Sequence, residues 1–316
     1  MTTTGEFRYL DPSNITANTK PWTKVDGSPS PFNLTARRRS VTSFRDSLGL
    51  HPSSQRGAFG ADIDVAGFAA YTSPTTSTPA TFTSDATVRS AYYPEIEALL
   101  RAKLQSKGTI SRIEIFDHTI RKHDPTSPRQ PVQQVHVDQT PAAAATRVRR
   151  HVKLPPAEVD ALLSKRYQLI NVWRPIGHAA TDFPLAVIDW RTTEPKDLAA
   201  VDLLYPVRND NDDDDRGKET LPDAAPADVA STEGYEVRGE TYGVLPSEGH
   251  KFYYVKDMTP DEAMFIKCFD SWGEGQPQGR KGVAALTPHT AFVDPETPVG
   301  TKGRESIEVR CLVFYE

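Results

Sequence analysis

What most constrains this chain is a run of short apolar segments between residues 110 and 316, each about as long as a strand and most cut off by turn residues. Residues 110–116 alternate apolar and polar side chains at period 2, the mark of a strand with one wet face. Residues 134–138, 167–174, 185–190, 252–255, 288–293 and 306–315 read as further strands, with Pro175 and Asp294-Pro295 as stops. Helices are few. Residues 92–107 place Ile96, Leu99, Leu100 and Leu104 on one helical face and end at Gly108. A short helix starts at Pro155-Pro156 and runs over 157–165. Another is expected from Thr259-Pro260-Asp261-Glu262, carrying Met264, Phe265 and Phe269. Many short strands with few helices favour a mainly β fold with flanking helices (α+β), a barrel or double-sheet jelly roll.

Composition agrees, since 26 prolines against 19 glycines suit extended and turn backbone better than long helices. It also removes several function classes. No apolar run approaches the roughly 20 residues that span a bilayer. The first residues lack the basic and apolar regions of a secretory leader. Two cysteines, Cys268 and Cys311, are too few for a disulfide scaffold or a thiolate metal site and read as buried free thiols. A net charge of −5 argues against a nucleic-acid partner. No glycine-rich phosphate loop points to a nucleotide cofactor. The expectation is a cytoplasmic enzyme with a small-molecule substrate and no membrane attachment; a homodimer is one assembly the sequence leaves open.

One domain is expected over 1–316, with an irregular N-terminal wrap over 1–90 and the core over 91–316. Residues 71–87 are almost all Ser, Thr, Pro and Ala, a linker-like stretch. Residues 207–235 form an acidic insert centred on Asp212 to Asp215. Either could shield a site mouth from water as a lid.

The residues that could carry chemistry begin with His136-Val137-Asp138. Two side chains two apart on a strand share a face, so one imidazole and one carboxylate can reach a single ion. His289, at the start of a late strand, is the best third ligand. Two histidines and a carboxylate on one face leave three positions open, the facial triad of non-haem Fe(II) oxygenases. Beyond His289, Arg304 and Ser306 are again two apart, and an arginine fork with a hydroxyl suits the far carboxylate of a keto acid. Arg310 lies six residues on and competes with Arg304 for that role. Asn171 and Arg174, at the end of a strand, could touch the keto acid or substrate; a structural arginine beside Asp189 is the competing view of Arg174. Gln133 and Thr140 flank the triad as outer supports. His118 and His123, beside Asp117 and Asp124, form a rival set whose spacing does not share a strand face.

On these residues the chain resembles the Fe(II)/2-oxoglutarate-dependent oxygenases. More narrowly it is similar to the fungal hydroxylase/desaturase family, related to cephalosporin methoxylase subunit-like proteins. The resemblance is carried by 116–121, by 135–140, by Asn171-Val172-Trp173-Arg174-Pro175 with Pro184-Leu185-Ala186, by 250–254, by Phe269-Asp270-Ser271, by 288–295 and by 304–310, in that order. It implies a double-stranded β-helix (cupin-like) core and Fe(II) at His136, Asp138 and His289. It also implies 2-oxoglutarate as co-substrate with O2. The reaction expected is hydroxylation or desaturation, including oxidative decarboxylation, of a natural-product intermediate, with succinate and CO2 released. The long gap between Asp138 and His289 implies inserts. Two other functions are compatible with the same ligands: a cupin-like metal-dependent hydrolase or isomerase, and a non-catalytic accessory subunit.

Overall fold

The computed structural model describes residues 1–16, 20–25, 31–45, 62–207 and 230–316. Four strands precede the first long helix: β1 (Thr2–Leu10), β2 (Trp22–Lys24), β3 (Leu34–Ser43) and β4 (Phe68–Thr72). The turn α1 (Asp85–Thr87) and a π-helical turn lead into α2 (Tyr93–Leu104). Then come β5 (Ile110–Lys122), β6 (His136–Val137), α3 (Pro141–His151), α4 (Pro156–Leu163), β7 (Tyr167–Pro175) and β8 (Leu185–Ile188). The hairpin of β9 (Leu198–Pro206) and β10 (Tyr235–Val244) follows. The chain closes with β11 (Phe252–Tyr254), β12 (Glu262–Asp270), β13 (His289–Ala291) and β14 (Glu305–Tyr315).

These strands form two sheets. The larger runs β1-β3-β11-β8-β13-β6-β10-β9-β2 and the smaller β4-β12-β7-β14-β5. Their facing sides share one core. Leu169, Trp173, Met264, Ile266, Leu312 and Phe314 from the small sheet meet Leu185, Val187 and Tyr253 from the large one. The outer side of the small sheet buries Ile170, Val172, Phe265, Val309 and Val313 against Ile96, Leu100 and Leu104 of α2. β7 and β12 are buried at every position, so both their faces are covered. The chain is thus mainly β with few helices, a jelly roll with α2 packed outside.

The large sheet curls until its β1 edge returns to the chain ahead of β6. Arg8 bridges Gln134 in parallel, and Val135 N–H donates to Arg8 O at 2.9 Å. Phe7 stacks on Phe252 at 3.9 Å, and Phe7 and Tyr9 pack with Val135, Val244 and Phe292.

Several expectations need correction. Among its described residues the N-terminal region, expected to be an irregular wrap, contributes β1 to β4 as strands of the two sheets. Thr3, Gly5, Phe7 and Tyr9 are buried alternately with exposed neighbours, which is strand periodicity. The helix expected after Thr259 is β12, buried at every position between β4 and β7. The Thr259–Glu262 signal is a local turn, in which Glu262 Oε2 accepts from Thr259 N–H at 2.8 Å. Residues 71–87 line no part of the cavity between the sheets. They cross the outer surface near α2, where Thr75 Oγ1 donates to Glu95 Oε2 at 2.9 Å. Of the acidic insert, residues 208–229 lie outside the described residues.

Candidate active site

The site starts from a two-residue strand. In β6, His136 lies opposite His289 of β13 on one side and Gly243 of β10 on the other. Opposed residues of an antiparallel pair share a face, so the two imidazoles stand together, centroids 4.5 Å apart. At Gly243 a Cβ would meet the Leu10 side chain at 2.8 Å, so glycine lets β1 back the site strand closely. Asp138 follows two residues on. Its Oδ1 is 3.3 Å from His136 Nε2 and 3.8 Å from His289 Nε2. Three ligand atoms lie within 4.8 Å of one another, the single such grouping among the described residues.

Each imidazole is turned by its other nitrogen. His136 Nδ1–H donates to Gln134 O at 2.8 Å and His289 Nδ1–H to Thr287 O at 3.1 Å. Both Nε2 atoms are left to face Asp138, the tautomer a metal needs. Burial, then the nearby His136, pushes His289 down to about 4, so it is neutral at neutral pH. Burial opposes charge on His136 as well, but the hydrogen bond and charge of Asp138 outweigh it and raise its pKa. Burial would raise Asp138, yet the two histidines hold it well below the usual carboxylate range.

Across the cavity stands the inner face of the small sheet. Arg310 of β14 pairs with Asn171 of β7 and Asp117 of β5, and Ser306 with Arg121. Asn171 Nδ2 donates to Asp138 Oδ2 at 2.6 Å, tying the two sheets together at the site. Asn171 thus supports the carboxylate, and its buried Oδ1 has no partner of its own among the described residues. Arg310 pairs with Asp117 at 2.7 Å and donates to Thr119 Oγ1 at 3.0 Å, with its buried Nε left without a partner. Arg304 is 2 % exposed and makes no ion pair among the described residues. Its Nη1 donates to Phe183 O at 2.6 Å, its guanidinium carbon is 5.4 Å from the centre of the Trp173 ring, and its Nε has no partner. Phe183 holds a φ of 43°, a strained value for a side chain of this size. Burial, then the charge of Arg121, drags Arg304 down to about 9.

The cavity between the sheets is lined by His136, Asp138 and His289, with Trp173, Leu185 and Thr290 as wall and Arg121, Arg304, Glu308 and Arg310 as charged groups. Ser306 is buried but not among the lining residues. Arg174 is a correction. Three positions from Asn171 on a strand, it faces the other way. Its guanidinium donates to Tyr92 Oη, Ser73 O and Pro260 O and lies 3.3 Å from Glu95, on the side of α2. Asp189, its expected partner, binds Arg191 instead. Thr140 caps α3, accepting from Ala143 N–H at 3.2 Å, which is a helix role and no support of the triad. The rival histidines part company: His118 bonds Tyr93 Oη and His123 bonds Asp182. Arg121 was missed as a site residue. Glu308, expected only as a candidate partner of the arginine that does not grip the keto acid, lines the cavity itself, as the period of 2 joining Arg304, Ser306 and Arg310 allows. Arg121 needed the pairing of β5 with β14.

Comparison with known proteins settles the class. A family described as "Oxidoreductase/YMDC permease-like domain" matches residues 54–314. The hydroxylase/desaturase poxK of Penicillium oxalicum is 30 % identical over 303 residues, 94 % of this chain and 82 % of the relative. The chain belongs to the fungal hydroxylase/desaturase family. Within that family, asaB of Aspergillus flavus is 40 % identical over 159 residues, half of this chain and 60 % of the relative's length. The solved structure of NvfI, an iron and α-ketoglutarate-dependent endoperoxidase, superposes with a TM-score of 0.74 at 25 % identity, covering 99 % of this chain and 97 % of that one. This hydroxylase/desaturase family member is therefore a non-haem iron, 2-oxoglutarate-dependent oxygenase. Among the described residues no helix is long and apolar enough to cross a membrane.

Proposed function

We propose that His136, Asp138 and His289 hold the Fe(II), that Arg304 grips the distal carboxylate of 2-oxoglutarate, and that the enzyme hydroxylates or desaturates a small natural-product intermediate. One observation carries this reading: three ligand atoms within 4.8 Å, with both imidazoles locked so that Nε2 faces the carboxylate. The residues fit an iron. Adjacent ligands on an octahedral ion with bonds of about 2.1 Å stand about 3 Å apart, and the Nε2–Oδ1 separations of 3.3 and 3.8 Å need little closure. Without a cation, a buried carboxylate would face two imidazole nitrogens of which one is neutral. When bound, the iron supplies the O2 chemistry that couples decarboxylation of the keto acid to removal of hydrogen from an unactivated C–H bond.

The protein's own groups do the rest. Gln134 O and Thr287 O fix the imidazole tautomers, and Asn171 fixes the carboxylate. Arg304 offers a buried cation with an unused Nε, and Trp173 lies under its guanidinium. Asp117 neutralises Arg310, which supports Arg304 over Arg310 as the grip. Trp173, Leu185 and Val132 give the cavity an apolar wall that keeps water from the reacting carbon. Whether hydrogen is replaced by hydroxyl or a second hydrogen is lost depends on where this wall holds the substrate. The chain works as one oxygenase domain, a reading supported by the shared core of the two sheets. A cytoplasmic setting is supported by two buried free thiols, Cys268 and Cys311. A small-molecule partner without nucleic acid is supported by the net charge of −5.

The test is anaerobic addition of Fe(II) and 2-oxoglutarate, followed by the weak visible charge-transfer band of the chelate. The wild type should show it and His136→Ala should not. A wild type without the band, or a full band in His136→Ala, overturns the assignment.

A further inference from the structure

We propose that Arg121 is a second guanidinium of the 2-oxoglutarate subsite, gripping the distal carboxylate together with Arg304. This rests on the reading of the cavity as the keto-acid site. The first observation is register. Arg121 of β5 lies directly opposite Ser306 of β14, and Arg304 is two residues from Ser306. Opposed residues share a face and diagonal neighbours on adjacent strands are within reach of long side chains. Both arginines accordingly line the cavity.

The second observation is charge. Neither arginine has a carboxylate within ion-pair distance among the described residues, whereas the third, Arg310, is paired with Asp117. The sole hydrogen bond of the Arg121 side chain among the described residues is from Nη1 to Gln130 O at 3.1 Å. After burial, the charge of Arg121 is the leading influence against charge on Arg304, in keeping with the shared cavity that the register gives them. Glu308 lines the same cavity, but burial pushes its carboxyl up to about 7, so it offsets the two cations only in part and an incoming anion would complete the balance. The Nε of Arg304 is buried and has no partner, which leaves a donor waiting for an acceptor. The third observation is a replacement. Ser306, the hydroxyl expected to share the grip, is not among the lining residues, and the residue paired with it across the sheet is. A carboxylate set between Arg121 and Arg304 satisfies both guanidiniums at once.

The alternatives are that Arg121 serves the primary substrate or only the β5 edge. The experiment separates them by truncating the ligand as well as the residue. Under nitrogen, the Fe(II)-loaded protein is titrated with 2-oxoglutarate and with 2-oxopentanoate, which lacks the distal carboxylate. Binding is read from the charge-transfer band and by calorimetry. For wild type, 2-oxoglutarate should bind much more tightly than 2-oxopentanoate. Arg121→Gln should weaken 2-oxoglutarate by about ten- to a hundredfold, the loss expected for a charge-assisted bond, and leave 2-oxopentanoate unchanged. Arg121→Lys should restore part of the difference. Unchanged 2-oxoglutarate binding in Arg121→Gln overturns the proposal. So does an equal loss for both ligands that Arg121→Lys does not reverse. If wild type itself shows no preference for 2-oxoglutarate, the keto-acid site falls and this proposal with it. If wild type and Arg304→Gln behave as a carboxylate grip requires and Arg121→Gln does not, only Arg121 is removed from the subsite.

Discussion

The amide of Asn171 is a single hydrogen-bond donor from the small sheet that sets the orientation of a carboxylate on the other side of the cavity. Groups of this kind, one step removed from a metal, typically carry 10- to 100-fold, roughly, in metal affinity. Asn171→Ala should therefore weaken Fe(II) binding by about that factor, measured by metal titration under nitrogen, while the melting temperature changes little. An unchanged affinity would remove Asn171 from the site. Arg174 is the contrasting case three residues on. It is fully buried, and its removal leaves Glu95 and two carbonyls without their cation. Arg174→Ala should cost on the order of 3–5 kcal/mol in urea unfolding, and the protein that remains folded should bind 2-oxoglutarate as wild type does. Both residues were singled out from sequence as candidates for the keto acid. Strand parity alone separates them, because odd and even offsets face opposite sides of the sheet. Arg310 needed more, since its pairing with Asp117 joins residues 193 positions apart.

At the scale of elements, the strands that carry the site were legible because alternation and turn residues are local signals. β5, β7, β8, β13 and β14 appear near their expected places. β12 was misread as a helix because a short apolar run buried on both faces has no period to distinguish the two. The helix α3 was missed, although Thr140-Pro141 is a usable start, and so was the β9–β10 hairpin. The segment ahead of β4 shows how an element holds the site from a distance. Gly67, at φ +89°, accepts at its carbonyl from Thr287 Oγ1 and from Lys267 N–H. Thr287 O in turn fixes His289. A Cβ on Gly67 would meet Thr287 Oγ1 at 2.4 Å and Leu286 O at 2.7 Å. Gly67→Ala should destabilise the fold by more than about 1 kcal/mol and weaken Fe(II) binding, read by thermal unfolding and metal titration of one preparation. Loss of stability with full metal affinity would show that this strap does not set His289.

Across the whole molecule, the segment before β4, β7 and β12 are joined by a buried cluster of two acids and two bases. Arg166 and Lys267 each bind both Asp64 and Asp270 at 2.7 to 2.9 Å. Burial alone would raise the Asp64 carboxyl, but Lys267 and Arg166 more than reverse this and bring it down to about 2. Asp270 is lowered against burial by the same partners. A depressed folded-state pKa gives stability that is full above the unfolded value near 4 and lost as pH falls through the folded value. Wild type should thus lose on the order of 2 kcal/mol through Asp64 between about pH 4 and pH 2. Asp64→Asn should start less stable and lose correspondingly less over that window, as measured by urea unfolding at each pH; an identical pH slope in both proteins would show that the cluster does not titrate with folding. None of this cluster was read from the sequence, since its members lie 64 to 270 residues along the chain. By itself the sequence determined what local chemistry can encode: the strand periods, the His136-x-Asp138 face, the poverty in thiol ligands, and the arginines of the last strand. Tertiary structure alone decided which distant strands pair. That pairing set His289 beside His136, turned Asn171 towards Asp138, assigned Asp117 to Arg310, and set Arg121 opposite Ser306. The reason is physical: a strand exposes donors, acceptors and side chains to any partner, and only the packed sheets select which one it meets.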